Sequence, residues 1–269
     1  MKNVFIICGP TATGKTKLAL QLAKELDGEL ISADSRQVYV GNDIETGKDL
    51  DLIRASGIKV WLYDVVNSSE KFSVSQWRKL ARDAIKDILS RNKLPIVVGG
   101  SGLYIKSLVQ DLPDIDVPYD KKLRTELENK SATNLFNYLK SINLQKALSL
   151  NESDKKNPRR LIRAIEIQKG TPFSFERGPL YDLYEGVSYI QIGLTAPKEY
   201  LEEKIRQRVR ERGLDASFET KEINIMKKQL VWFKKQPDIY WIDISTLSLD
   251  DIINICLGRL KSPIAQLSL

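Results

Sequence analysis

Histidine is missing from this 269-residue sequence, and cysteine occurs only twice, at Cys8 and Cys256. Without an imidazole the chain has no Ser-His or Cys-His nucleophile pair and no His-ligated metal. Two cysteines so far apart build neither a disulfide framework nor a four-thiolate zinc site, which fits the cytoplasm. Any general base must therefore be a carboxylate or, less commonly, Lys, Tyr or Cys.

Long hydrophobic runs are also missing. The apolar stretch 2–8 is too short for the h-region of a signal peptide, and no segment approaches the roughly 20 apolar residues of a membrane helix. We therefore expect a soluble, cytoplasmic protein without membrane contact, acting as a monomer. Acidic residues are outnumbered, since 42 Lys and Arg against 35 Asp and Glu leave a formal net charge of +7. This favours an anionic partner without identifying nucleic acid, diphosphate or a membrane surface.

Short β-rich stretches alternate with amphipathic helices over the first 110 residues. The apolar residues 4–8 predict a strand, and the following segment carries Leu and Ala at helical spacing. The further predicted elements are a helix over 15–26, strands over 29–33, 59–66 and 94–98, and helices over 74–90 and 101–110. This alternation indicates an α/β fold with a parallel, doubly wound sheet, whose binding groups lie at the carboxyl ends of the strands.

The pattern changes after residue 110. Residues 111–120 hold two prolines and four aspartates, typical of a linker, and the next 50 residues are polar and helical without a strand candidate. Strand character returns at Tyr189. We predict a core domain formed by residues 1–111 and 189–269, and an all-helical insertion over 112–188. The second part of the core is predicted to hold a strand at 189–194, basic helices at 198–212 and 219–235, a strand at 240–244 and a closing helix.

A complete phosphate-binding motif follows the first predicted strand. The segment Gly-Pro-Thr-Ala-Thr-Gly-Lys-Thr fits G-x-x-x-x-G-K-[ST] and lies between a strand and a helix, as the mechanism requires. Backbone N–H groups and a helix N-terminus surround a phosphate chain there, with a Lys charge and a hydroxyl that holds Mg²⁺. The alternative is a Gly-rich turn that caps an ordinary helix. The predicted diphosphate-binding residues are Gly9, Pro10, Thr11, Ala12, Thr13, Gly14, Lys15 and Thr16. The fold prediction becomes a P-loop NTPase-like parallel sheet flanked by helices, with the helical insertion.

Asp34 follows the second predicted strand, in Ile-Ser-Ala-Asp-Ser-Arg-Gln-Val-Tyr at 31–39. In a doubly wound sheet this places its carboxylate toward the crevice that holds the phosphate loop. Because histidine is absent, Asp34 is the leading candidate for a general base. The alternatives are a Walker-B-like Mg²⁺ ligand and a helix cap.

Further segments, taken together with the phosphate loop and the Asp34 segment, resemble a known family. They are Gly-Gly-Ser-Gly-Leu-Tyr-Ile at 99–105, Asn-Pro-Arg-Arg-Leu-Ile-Arg-Ala-Ile-Glu at 157–166 and Lys-Gln-Leu-Val-Trp-Phe at 228–233. In this order, they resemble the motifs of the tRNA dimethylallyltransferases. The resemblance runs from residue 2 to about 212 and resumes at residue 228. The absence of the zinc-finger extension of eukaryotic relatives is typical of a bacterial-type enzyme of this family.

The resemblance implies transfer of a dimethylallyl group from dimethylallyl diphosphate to the exocyclic amine of the adenosine 3′-adjacent to the tRNA anticodon. Diphosphate would be released, Mg²⁺ would be held with Thr16, and the anticodon stem-loop would be the partner. Asp34 would accept the amine proton, Thr11 would contact the bridging oxygen of the diphosphate, and Arg208 would clamp it. Such roles make sense because the amine is a poor nucleophile, so that proton removal and leaving-group stabilisation must both help.

By the same matching, a second group of residues would contact tRNA. Ser101 stands where the family usually has Thr. A cationic face is also visible without the resemblance, because basic residues cluster in 155–163 beside an apolar stripe, although a solvated helix face has the same pattern. The implied tRNA-binding residues are Asp34, Ser35, Arg36, Gln37, Ser101, Arg124, Arg159, Arg160, Leu161, Ile162 and Arg163.

The sequence departs from the family between Arg208 and Lys228, where it lacks roughly a helical hairpin that contains Ile-Gly-Tyr-Lys-Glu in relatives. This leaves two alternatives to the transferase. A nucleoside or small-molecule kinase shares the ATP-binding loop, the sheet and Mg²⁺, but an Arg-rich lid is not recognisable here. A weakened tRNA-binding relative is suggested by the shortening. Against this alternative stand four intact residues, Lys15, Thr16, Asp34 and Arg208.

Overall fold

The computed structural model describes residues 2–41, 43–110, 112–170 and 187–261. The chain divides into two compact units, one formed by Met1–Gln110 with Tyr184–Leu269 and the other by Asp111–Leu183. The domain boundaries predicted at 112 and 188 stay predictions, because the second falls beside residues 171–186, which lie outside the described part of the chain. Residues 187 and 188 were assigned to the insertion, but they belong to a strand of the sheet.

Six parallel strands form one sheet in the first unit, in the order β3-β2-β4-β1-β5-β6. Their bounds are β1 Lys2–Cys8, β2 Gly28–Ser32, β3 Val60–Trp61, β4 Leu94–Gly99, β5 Val187–Thr195 and β6 Tyr240–Asp243. The predicted fold class, a P-loop-like parallel sheet flanked by helices, is confirmed. Since β1 is central, the loop that follows it lies at the middle of the sheet's carboxyl edge.

The alternation of side chains along β1 explains why helices cover both faces of the sheet. Val4, Ile6 and Cys8 are buried in a core on one face, which also contains Trp77. Phe5 and Ile7 are buried in the core on the opposite face. Successive side chains of a strand point to opposite faces, so a continuous apolar run needs cover on both.

The helices of the first unit lie close to their predicted positions, apart from two short ones that the pattern did not indicate, α2 and α3. The bounds are α1 Lys15–Glu25, α2 Asp43–Thr46, α3 Leu50–Ser56, α4 Val74–Ser90, α5 Gly102–Val109, α11 Lys198–Glu211, α12 Ala216–Phe233 and α13 Leu249–Lys261. Helix α4 matches its prediction because Ser73 and Gln76 form a capping box at its start.

The strand predicted over 59–66 is wrong in length, because β3 has only two residues. Leu62 and Asp64 have φ angles of 67° and 53°, in the left-handed region that an extended strand does not use. An isolated bridge between Tyr39 and Val66 is all that continues the pairing beyond β3. Leu62 is buried, but Lys59, Asp64 and Val65 are exposed, so most of this segment is neither regular strand nor core.

The second unit is helical over its described residues, 112–170. Its elements are a 3₁₀ turn at Pro113–Asp116 and the helices α6 Lys121–Leu127, α7 Ala132–Ile142, α8 Leu144–Leu148, α9 Glu152–Lys155 and α10 Pro158–Lys169. Leu135, Leu139, Leu161 and Ile165 lie in its core and are fully buried. Within the described residues of both units, no helix is both long enough and apolar enough to cross a membrane.

Candidate active site

The loop between β1 and α1 has the backbone of a phosphate cradle. Gly9 has a φ of 131°, and a Cβ there would lie 2.3 Å from the carbonyl oxygen of Leu194, so only glycine fits. Ala12 and Gly14 follow with φ angles of 68° and 75°. These left-handed residues turn successive N–H groups toward one concavity, which is the geometry of an anion-binding nest.

The N-terminus of α1 is left open toward the loop. Gly14 is its N-cap and supplies no side-chain hydrogen bond, and the first turn contains no acidic residue. Four N–H groups at a helix start lack intrahelical partners, and the helix dipole favours an anion beside them. The sequence therefore leaves this helix end uncapped where a phosphate would complete it.

Lys15 lies in the loop with its ammonium folded onto the backbone. Its Nζ donates to the Pro10 carbonyl at 2.5 Å and to the Thr13 hydroxyl at 3.4 Å. Burial lowers the pKa of Lys15 from 10.5 to about 8, against the opposing attraction of Asp34. The ammonium is thus charged at neutral pH yet poorly solvated, so an arriving anion would gain a strong partner.

Asp34 lies in a turn that β4 holds in place. The Ala33 N–H donates to the Val98 carbonyl at 2.8 Å, and the Ser101 N–H donates to the Ala33 carbonyl at 3.0 Å. Gly99 allows this approach, because a Cβ there would lie 2.2 Å from the Ala33 oxygen. The Asp34 carboxylate is therefore fixed by backbone contacts at the carboxyl edge of the sheet.

The electrostatics of Asp34 suit a proton acceptor. Burial raises the pKa of its carboxyl above the ordinary value, although the N–H of Arg36, 2.9 Å from Oδ1, and the charges of Arg36 and Lys15 act to lower it. A carboxylate with a raised pKa is a stronger base than one in water. The arrangement therefore favours proton transfer at Asp34 over a role as a simple helix cap.

Arg208 reaches the phosphate loop from α11. Its Nη2 donates to the Thr11 hydroxyl at 2.9 Å and to Glu222 at 2.7 Å. Burial lowers the pKa of Arg208 below its ordinary value, while Glu222 acts to raise it, and a guanidinium remains charged in proteins. Thr11 and Arg208 were predicted as partners of one diphosphate, and the structure brings these two side chains into direct contact.

One cleft of about 370 Å³ joins these groups. Its lining contains eight of the predicted residues: Thr11, Ala12, Gly14, Lys15, Thr16, Asp34, Gln37 and Arg208. Gly9, Pro10 and Thr13 of the same loop do not line the cleft; the Thr13 hydroxyl donates to the Pro10 carbonyl at 2.9 Å. Ser35, Arg36 and Ser101 do not line the cleft. The Ser35 N–H instead donates to the Ser101 hydroxyl at 2.8 Å.

Sequence reasoning missed several groups of this cleft. Gln229 accepts a hydrogen bond from the Thr11 N–H at 2.8 Å and donates to the Gly100 carbonyl at 3.1 Å, so it joins the phosphate loop to the start of α5. The Lys-Gln-Leu-Val-Trp-Phe motif contained this residue without indicating its role. Asp49 also lines the cleft and is paired with Arg212 at 3.0 Å.

The predicted tRNA-binding residues of the helical unit divide into paired and free side chains. Arg124 and Arg163 both bind Glu166, which is 1% exposed, at 2.8 and 2.6 Å. Burial alone would raise the pKa of Glu166, but these arginines outweigh it and hold the pKa at about 2. Arg160 pairs with Asp154. Within the described residues the exposed Arg159 side chain makes no ion pair or hydrogen bond.

Leu161 and Ile162 require a correction. Both were placed among the RNA-contacting residues, but they are 0% and 6% exposed and lie in the core of the helical unit. Apolar side chains of an amphipathic helix are buried on the face opposite its charges, so these two pack rather than face RNA. Contacts of Arg159, Arg160, Arg163 and Arg124 with tRNA stay predictions.

The chain matches the family model for IPP transferase over residues 37–219. The tRNA dimethylallyltransferase of Acetivibrio thermocellus is 35% identical over 302 residues, which cover 94% of this chain and 95% of that protein. A crystal structure of tRNA delta(2)-isopentenylpyrophosphate transferase from Staphylococcus epidermidis has a TM-score of 0.63 at 27% identity, covering 97% of this chain and 99% of the other. A eukaryotic dimethylallyltransferase acting on tRNA shares the fold, with a TM-score of 0.79 at 23% identity over 99% and 82% of the two chains.

The alignment with the Acetivibrio protein is longer than this chain, so the relative contains residues that are missing here. In the structure, α11 and α12 are joined directly by residues 212–215, and α12 continues without a break past Gln229. This direct connection is the place where the sequence predicts the shortening. It also carries α12 across the cleft, where Glu222 and Gln229 meet the phosphate loop.

Proposed function

Because the chain belongs to the IPP transferase family, we propose that it transfers a dimethylallyl group from dimethylallyl diphosphate to the exocyclic amine of the adenosine 3′-adjacent to the tRNA anticodon, releasing diphosphate. One observation carries this proposal: Lys15, Thr16, Arg208 and Asp34 line the same cleft. Three of them are suited to an anionic leaving group and the fourth to a proton. The relatives' names mention tRNA and a dimethylallyl group, which supports the class of substrates, and the diphosphate donor and the adenosine acceptor are part of the proposal.

The leaving group would bind to the phosphate loop. The open N–H groups at the start of α1, the Lys15 ammonium and the Arg208 guanidinium present positive charge to one region of the cleft. The bond between the allylic carbon and the bridging oxygen breaks in the reaction, and its electron pair stays on the diphosphate. Preorganised donors stabilise that developing charge more than the ground state, which lowers the barrier.

The nucleophile would be the exocyclic amine of an adenine that has left its stack, as is required for chemistry on a nucleobase. Its nitrogen forms the new bond to the allylic carbon and loses one proton. Asp34 accepts that proton, because it lines the cleft and its raised pKa strengthens the carboxylate as a base. Atoms and charges balance without a further reactant.

Magnesium is the expected cofactor, and the donors of the cleft fit it. Mg²⁺ prefers oxygen ligands and is usually held by a few protein oxygens together with substrate phosphates. Thr16 offers a hydroxyl at the start of α1, whereas groups of three or more acidic, Cys or His ligands do not occur within the described residues. Thr16 would therefore hold an ion brought by the diphosphate, and that ion would neutralise phosphate charge.

The partner would be the anticodon stem-loop of tRNA, in the cytoplasm. The net charge of +7 and the exposed Arg159 support attraction to a polyanion. A monomer suffices for the proposed chemistry, since all four carrying residues lie in the cleft of one chain.

A single-turnover assay tests this function. The protein is mixed with dimethylallyl diphosphate, Mg²⁺ and an anticodon stem-loop RNA, and the RNA is digested and analysed by mass spectrometry. We expect one dimethylallyl group on the adenosine beside the anticodon and none when that base is changed to guanosine. Two results would contradict the proposal. If ATP but not dimethylallyl diphosphate raises the melting temperature, the protein is better explained as a kinase. If the RNA binds without transfer, it is better explained as a tRNA-binding relative.

A further inference from the structure

Glu222 is the most deeply placed carboxylate near the cleft that the proposed reaction leaves without a role. It lies on α12, and its side chain is 6% exposed. Its Oε1 accepts from Arg36 Nη1 at 2.7 Å, and its Oε2 accepts from Arg208 Nη2 at 2.7 Å. The Thr11 hydroxyl lies 3.5 Å from the same Oε2. One buried carboxylate thus bridges two arginines beside the phosphate loop.

The two arginines contact different parts of the site. Arg208 donates onward to Thr11 in the phosphate loop, where the leaving group would bind. The Arg36 N–H donates to Asp34 Oδ1 at 2.9 Å, and its Nη2 donates to the Glu45 carbonyl at 2.8 Å. Glu222 therefore connects the diphosphate side of the site with the side of the proposed base.

Arg208 keeps free donors while Glu222 holds it. Within the described residues, only Nη2 of its guanidinium makes hydrogen bonds, so Nη1 and Nε remain available to a ligand in the cleft that Arg208 lines. A guanidinium anchored at one nitrogen has few orientations left for the others. Donors fixed before the reaction stabilise a developing charge best, because no reorganisation is needed when the charge appears.

We propose that Glu222 is a positioning residue, which fixes Arg208 against the leaving diphosphate and Arg36 against the Asp34 turn. This inference rests on the proposed function and concerns the same cleft. Glu222 itself touches neither substrate. As an anion close to a bound diphosphate it opposes ground-state binding, so its contribution is expected in the rate of transfer rather than in affinity.

The test compares Glu222→Gln with a matched control on the same helix. Glu219 lies one turn earlier, pairs with Arg206 at 3.1 Å and does not line the cleft, so Glu219→Gln removes the same charge without touching Arg208. We expect Glu222→Gln to lower kcat about tenfold, roughly 1.4 kcal/mol, while KM for dimethylallyl diphosphate stays equal or falls. Glu219→Gln should leave both constants unchanged.

The variant Glu222→Asp separates geometry from charge. It keeps the carboxylate but is one methylene shorter, so it should not bridge both arginines, and its kcat should remain low. A wild-type kcat in either variant at position 222 overturns the inference. So does a loss that appears only in KM, or an equal loss in Glu219→Gln.

A binding measurement makes the inference independent of turnover. The dissociation constant of inorganic diphosphate is measured for Glu222→Gln, Arg208→Met and the double variant. If Glu222 acts through Arg208, the effect of Glu222→Gln on the dissociation constant should differ between the wild-type and the Arg208→Met background, because only the wild-type background contains the guanidinium that Glu222 positions. Additive effects overturn the inference. If wild-type protein binds diphosphate with this coupling but transfers nothing, only the proposed function fails.

Discussion

Two helices of this protein, α1 in the sheet unit and α10 in the helical unit, belong to motifs that the sequence analysis assigns to anionic ligands, but their N-termini differ in the structure. Helix α1 has Gly14 as its N-cap and no side chain on its first N–H groups. Helix α10 is capped by Asn157, which accepts from the Arg160 N–H. The first is open to a ligand, and the second is already satisfied within the chain.

The cationic side chains around the two helices differ in the same way. Around α1, Lys15 is desolvated and rests on loop carbonyl and hydroxyl groups, without a carboxylate in hydrogen-bond contact. Around α10, Arg163 and Arg124 neutralise the buried Glu166. A basic residue that is paired with a buried carboxylate offers less net positive charge to a ligand than an unpaired one. Counting basic residues in a segment therefore overestimates its capacity to bind RNA.

The largest effect is expected in the cleft beside the phosphate loop, where Asp34→Asn removes the proposed base. Asparagine keeps the size of the side chain but cannot accept the amine proton, so single-turnover transfer should slow by about 10² to 10⁴-fold. Diphosphate binding should change little. The matched variant Asp49→Asn, at another acid of the cleft, should lose far less activity.

If Asp34 were a metal ligand instead, the Asp34→Asn variant would bind diphosphate weakly, and excess Mg²⁺ would restore the binding. An unchanged transfer rate at saturating diphosphate and Mg²⁺ would remove Asp34 as the base.

The next effect concerns stability in the helical unit. Arg124→Ala leaves the buried Glu166 with one arginine fewer, which should lower the free energy of unfolding by about 1 to 3 kcal/mol. The pKa of Glu166 is held at about 2, below its ordinary 4.5, so this stabilisation is fully present above pH 4.5 and is lost as the pH falls toward 2. Urea unfolding at pH 7 measures the loss of stability, and unfolding followed along an acid titration measures its pH dependence. The control Arg159→Ala, at a residue without an ion pair, should change neither the stability nor its pH dependence.

A smaller effect is expected from pH on the binding of diphosphate at the phosphate loop. With the pKa of Lys15 lowered to about 8, the charged form that binds diphosphate is lost as the pH rises through 8. The dissociation constant for diphosphate should therefore rise about tenfold between pH 7 and pH 9. Calorimetry with inorganic diphosphate measures it. In the Lys15→Met variant the affinity for diphosphate should be low and should not depend on pH in this range. If the pH dependence persists in this variant, another group is responsible for it.

The smallest effect is expected at Arg159, an exposed cation of the helical unit that makes no ion pair within the described residues. Arg159→Ala should weaken stem-loop binding a few-fold and reduce the salt slope by roughly 0.7 to 0.9, the value of one phosphate contact. Binding of dimethylallyl diphosphate should not change. Lys79→Ala, an exposed cation on α4, is the control. Equal salt slopes for wild type and Arg159→Ala would return Arg159 to a solvated helix face.

Much of the sheet unit was predictable because its signals are local. The phosphate-loop motif, the apolar run of β1 and the capping box of α4 each span only a few consecutive residues, and the backbone conformations that they favour are the ones observed. The position of Asp34 followed from the rule that parallel strands end at one edge. The prediction failed at β3, where the left-handed residues Leu62 and Asp64 follow a strand of two residues within a largely apolar segment.

The sequence by itself determined the fold class, the phosphate loop and the placement of Asp34, because each depends on neighbouring residues and on strand order. Only the tertiary structure decided which charges remain free. Arg36 and Glu222 are separated by 186 positions, and Arg124 and Glu166 by 42. No local pattern encodes such pairs, since each partner alone looks like an ordinary exposed charge. Folding brings them together in surroundings poor in water, where an unpaired charge would be costly.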